Sequence, residues 1–139
     1  VSGSAFKIMG VNDGKKIDIA FVYEDSVGNS TNKKPSRSGY GIFEEPIKNE
    51  ISQNDICREK GYWQYDFPKY LSFGKTNDGL QLSIDATKEL ITHIVRHKNV
   101  SKVFIEPHLK ERMRLKNSKI RFHGCQAVRH DEHIHFQIN

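Results

Sequence analysis

Hydrophobic and polar positions alternate most cleanly over Ile17-Asp18-Ile19-Ala20-Phe21-Val22-Tyr23, which predicts a strand. Ile17, Ile19, Phe21 and Tyr23 fall on one face; Asp18, Ala20 and Val22 fall on the other. Asp18 is the odd member of its face. A carboxylate there is costly unless it is paired, hydrogen-bonded, bound to a cation, or placed where the strand start meets water. The period then lengthens. Ala86, Leu90 and Ile94, with Ile91 and Val95, recur at helical spacing and predict an amphipathic helix capped by Asp85. His93 and His97 fall near its end, where solvated imidazoles suit the negative pole of the helix dipole. Lys102-Val103-Phe104-Ile105 reads as a buried strand, and Pro107 opens a second helix through about Leu115. Ile120 to His123 reads as a short strand, and the chain closes on a strand ending Phe136-Gln137-Ile138.

The remaining segments carry weaker signals. Residues 1–16 read as loop, with turn chemistry at Val11-Asn12-Asp13-Gly14. Residues 24–37 read as a polar hairpin or loop that turns at Gly28-Asn29-Ser30. Residues 38–80 are the least patterned. Tyr40-Gly41-Ile42-Phe43 suggests a short strand, and the aromatics from Tyr62 to Phe67 suggest packing beneath a long loop or the wall of a groove. Strands and helices mix without βαβ regularity. The expectation is therefore an α+β fold, a mostly antiparallel central sheet with flanking helices, in a single domain over residues 1–139.

The candidate chemistry concentrates in His130-Asp131-Glu132-His133-Ile134-His135. On a strand, His133 and His135 project to one side, about 7 Å apart, and Ile134 and Phe136 project to the other, toward a core. Two imidazoles so placed suit a metal with a reacting water beside it. The histidines are interleaved with apolar residues at strand period, unlike a purification tag. His130 and Asp131 precede the strand and can reach the mouth of the same site.

Composition narrows the partners. A net charge of +5 favours anionic ones, carboxylate-rich wall polymer among them. Basic residues are not gathered into a stripe with aromatics, so nucleic acid is set aside. No apolar run approaches the length of a membrane span. The first four residues are not a signal peptide and read as the edge of a trimmed or processed chain. Cys57 and Cys125 leave two readings open: one disulfide, which fits an oxidising compartment, or two buried thiols.

Three segments in order resemble the penicillin-insensitive murein endopeptidases. These belong to the zinc-peptidase superfamily of lysostaphin, the D-Ala-D-Ala carboxypeptidases and the hedgehog domains. The segments are Gly14-Lys15-Lys16-Ile17-Asp18-Ile19-Ala20-Phe21-Val22-Tyr23, then Val103-Phe104-Ile105, then His123 with His130-Asp131-Glu132-His133-Ile134-His135, close to that family's His-Asp-Asp-His-Phe-His signature. The resemblance implies a hedgehog-like or carboxypeptidase-like fold, a zinc ion with Asp18 and His135 as ligands, and His133 as the catalytic imidazole beside it. It also implies His130, Asp131 and His123 as substrate-binding residues, peptidoglycan peptide as substrate, and a periplasmic or secreted location. One departure stands out. The family's first ligand is a His seven positions before the Asp, and Val11 occupies that position here. The first expectation is thus a degenerate domain with an incomplete zinc site, binding cell-wall peptide or an envelope or secretion-machine protein. The alternative is an active zinc hydrolase whose third ligand comes from elsewhere, for instance His130.

Overall fold

A computed structural model of the protein describes residues 8–12 (backbone only), 15–38, 40, 42–65 and 79–139. In chain order the elements are β1 (Ile8–Asn12), β2 (Lys16–Ala20), β3 (Tyr23–Glu24), β4 (Ser30–Thr31), α1 (Gln53–Glu59) and β5 (Gln81–Leu82). They continue with α2 (Ile84–Arg96), β6 (Val100–Phe104), α3 (Pro107–Arg112), β7 (Ile120–Arg121) and β8 (His133–Ile138). A five-stranded sheet runs β1-β2-β8-β6-β7, and a small sheet runs β4-β3-β5. Every pairing is antiparallel except β6 with β7. The architecture is mixed α/β on mostly antiparallel sheets, as the alternation of periods predicts.

One face of the large sheet is the core. Ile19, Ile134, Phe136, Val103 and Ile120 meet Leu90, Ile91 and Val95 of α2 and Leu109 of α3 in one buried cluster. Ile91, Val103, Leu109 and Ile134 are wholly buried, and each contributes about 1.5–3 kcal/mol by leaving water. Because strand residues alternate, packing this face forces Asp18, His133, His135 and Phe104 onto the other side.

Several elements differ from the sequence reading. Residues 8–12 form a strand where loop is expected, because Gly10 breaks their apolar pattern. The strand predicted from Ile17 to Tyr23 is divided between two sheets. β2 ends at Ala20, and Val22 is captured by the start of α2: its N–H donates to Thr87 Oγ1 at 3.1 Å, and its carbonyl accepts from the Ser83 N–H at 2.8 Å. Tyr23 then enters the small sheet. The cap of α2 is Ser83, whose hydroxyl accepts from the Ala86 N–H, while Asp85 lies in the first turn. Helix α1, absent from the sequence reading, is signalled by Ser52-x-x-Asp55; Ser52 accepts the Asp55 N–H at 3.3 Å. Helix α3 stops at Arg112, short of Leu115, and Tyr40, Ile42 and Phe43 lie in loop. Of the aromatic stretch, residues 63–65 form a 3₁₀ turn with Tyr65 buried and Trp63 exposed, while residues 66–68 lie outside the described residues. His93 and His97 are exposed, as expected.

Cys57 and Cys125 form a disulfide, which decides between the two sequence readings. It ties α1 to the loop that leads into β8. That loop therefore has a covalent anchor a few residues before His130.

Candidate metal centre

Strands β2 and β8 are neighbours, and their register sets Asp18 directly opposite His135. The Nδ1 atom of His135 lies 2.6 Å from Asp18 Oδ1. A carboxylate oxygen accepts, so Nδ1 carries the hydrogen, and the lone pair of His135 falls on Nε2. That Nε2 is buried and has no hydrogen-bond partner. The second oxygen of Asp18 accepts from the Tyr40 hydroxyl at 2.6 Å. Burial works to raise the Asp18 pKa. The hydrogen bond from His135, the charge of His133 and the hydrogen bond from Tyr40 outweigh it and hold the carboxyl below its usual value.

His133 sits one pleat along, opposite Ala20, whose small side chain leaves room for the ring. Its Nε2 is 3.5 Å from Asp18 Oδ1, and its Nδ1 is 3.2 Å from Glu132 Oε1. Tyr40 meets the His133 ring edge-on at 5.1 Å between centroids. His130 approaches from the loop. Its backbone N–H donates to Glu106 Oε1 at 2.9 Å, and its carbonyl accepts from the Glu106 N–H at 3.2 Å, so one glutamate fixes the segment. Its ring stands 5.3 Å from each of the rings of His133 and His135. His130 Nδ1 is buried and has no hydrogen-bond partner. Burial, then the nearby imidazoles, depress the His130 pKa to about 2, which keeps the ring neutral and able to ligate.

Each of His130, His133 and His135 offers a nitrogen within 4.8 Å of those of the other two. Three nitrogens on a tetrahedral zinc stand about 3.3 Å apart, so modest side-chain rotation closes the set. The chemistry of the donors fits that ion. All are imidazoles, each ring presents one buried nitrogen without a hydrogen-bond partner, and His135 is backed by the Asp18 carboxylate in the arrangement that orients metal-ligating histidines.

These residues line a cleft of about 590 Å³. His123 is at its edge, stacked on Phe104 at 4.1 Å, with its pKa lowered by burial and then by the charge of His135. Ala127 and Val128 give the cleft an apolar wall. Of the residues expected from the sequence, the fold brings together Asp18, His123, His130, His133 and His135. Asp131 is the exception. It is fully buried behind the cleft, where Arg129 holds both of its oxygens, so it is placed to support the loop rather than to meet substrate. Tyr40 was missed; the only hint in the sequence is its position between Gly39 and Gly41. Glu132 lies in the motif itself and lines the cleft. In the ladder of β1 with β2, Gly10 lies opposite Asp18 and Val11 lies opposite Ile17.

No protein-family model matches the chain, and neither does any curated protein or solved structure.

Proposed function

We propose that the protein is a zinc-dependent hydrolase of peptide cross-links in peptidoglycan, with His130 supplying the corner that Val11 leaves open. The observation that carries this is the convergence of three imidazole nitrogens, each on a ring with a buried nitrogen that has no hydrogen-bond partner, in a cleft. Bound there, zinc would act as a Lewis acid and lower the pKa of its water toward neutrality. The chain's own groups do the rest. Asp18 orients His135, the Glu132 carboxylate lies 3.2 Å from His133 Nδ1, and Tyr40 holds Asp18 in place and presents a hydroxyl at the cleft. Ala127 and Val128 make one side of the cleft apolar. The murein substrate, and a hedgehog-like or carboxypeptidase-like fold, rest on the resemblance of residues 14–23, 103–105 and 123–135. A disulfide fits the periplasm or cell exterior, and no helix among the described residues is long and apolar enough to cross a membrane.

A second reading keeps Asp18 as a ligand and makes His133 the proton carrier. The carboxylate of Glu132 beside His133 Nδ1 favours it, since a base is commonly oriented by such a third group. One experiment separates the readings: zinc content of the purified protein and its single variants, with release of cross-link products from isolated sacculi. The expected result is one zinc per chain, lost in His135→Ala and His130→Ala. In the first reading His133→Ala also loses zinc; in the second it keeps zinc and loses turnover. Zinc uptake without cleavage returns the protein to the role of a wall-binding domain. Failure of the wild type to take up zinc rejects the metal centre.

A further inference from the structure

The sheet face that carries the histidines continues past them. Two residues beyond the Asp18–His135–Phe104 row, Lys16 pairs with Gln137, and Gln137 pairs with Lys102. Residues directly opposed in an antiparallel ladder share a face, and so do residues two apart on one strand. Lys16, Gln137 and Lys102 therefore form a polar row on the histidine side, about 7 Å from the His135 row along the strands. The outer two strands are separated by two inter-strand spacings, about 10 Å, and lysine side chains are long enough to converge over Gln137.

All three side chains are half-buried. Among the described residues neither lysine forms an ion pair or a side-chain hydrogen bond. The nearest row toward the cleft offers no acid in exchange, because Asp18 is engaged by His135 and Tyr40. His123, at the cleft's edge, feels the positive charge of both Lys16 and Lys102. Two cations with no ion pair among the described residues, flanking an amide in line with the histidine cluster, have the composition of an anion cradle.

We infer that the Lys16–Gln137–Lys102 row binds a carboxylate of the substrate, and that the cleft selects peptides bearing a free carboxylate one or two residues from the bond held at the histidines. This rests on, and deepens, the hydrolase reading. It gives the class of substrate a physical basis in this chain: an acidic peptide, oriented by two charge-assisted contacts while its backbone crosses the cleft.

Binding rather than cleavage tests the row. N-acetylated alanine dipeptide and tripeptide, each as free carboxylate and as C-terminal amide, are titrated into the folded protein and followed by NMR shifts. The expected result is about tenfold tighter binding of the carboxylate forms, the size of one charge-assisted contact, falling to near equality in Lys16→Met/Lys102→Met. Methionine keeps the apolar stem of lysine, and the double variant should take up zinc as the wild type does. Equal binding of acid and amide, no binding of either, or a preference that survives in the double variant overturns the inference. A preference that is intact in a protein taking up no zinc rejects the metal centre and leaves the carboxylate row standing.

Discussion

Two buried polar regions meet at residue 130, and they differ in one respect. Behind the loop, Arg129 is almost wholly buried, yet it pairs with Asp131 and Glu45 and stacks over Phe43 at 4.1 Å. Tyr65 donates to Glu106, and Glu106 in turn holds the backbone of His130. His108 donates through Nε2 to the Glu44 carbonyl at 2.6 Å, and only its Nδ1 is left over. In front of the loop, His130, His133 and His135 each keep a buried nitrogen with no hydrogen-bond partner. An unmade hydrogen bond on a buried group costs about 1–3 kcal/mol. Among the described residues the rear network leaves one such ring nitrogen, His108 Nδ1, against three in the front cluster, and otherwise acts as a paired scaffold. The front cluster carries a cost that an added ligand would relieve, which is the signature of a binding site rather than of packing.

The largest expected effect comes from breaking the scaffold. Arg129→Met leaves Asp131 buried without its cation, and burial already pushes that carboxyl well above its usual range. The expected loss is about 3–5 kcal/mol in chemical denaturation. A loss under about 1 kcal/mol would mean the rear network is no scaffold. Next is the disulfide. Cys57 and Cys125 are separated by 68 residues, and opening such a loop typically costs about 2–4 kcal/mol. Reduction should lower the melting temperature. Because the bond anchors the loop before His130, it should also weaken zinc uptake; unchanged metal affinity in Cys57→Ser/Cys125→Ser would uncouple the two regions.

The smallest effect is read through pH. His130 has an ordinary value of 6.5 lowered to about 2 by burial and its imidazole neighbours. The unfolded chain therefore takes up a proton below about pH 6.5 that the folded chain refuses. Stability from this group is full above that pH and declines as pH falls toward about 2, by up to about 1.4 kcal/mol for each pH unit. Metal-free wild type should lose stability faster on acidification than His130→Asn does. Parallel stability curves for the two would show that His130 is not held neutral by its surroundings.

Some of this was open to reading in the linear chain. Alternation put His133 and His135 on one face and Ile134 and Phe136 on the other, because side-chain direction on a strand is fixed by adjacent residues alone. The helical stripe of α2 and the proline at the start of α3 were legible for the same local reason. Where local signals were diluted, by Gly10 in β1 or by the irregular stretch around Tyr40, the reading failed. It also failed at Val22, where a contact with Thr87 sixty-five residues away ended the sheet.

What the sequence by itself determined is the content of the site: an acid on an early strand, imidazoles at period two on the last, and one more histidine before them. The tertiary structure decided how they meet. Asp18 and His135 lie 117 residues apart in the chain and are opposed only because β2 and β8 pair in one register. His130 turns inward only because Glu106 bonds its backbone, and the disulfide brings α1 against the same loop. Pairing partners and registers are chosen by long-range burial and hydrogen bonding, which no window of neighbouring residues contains.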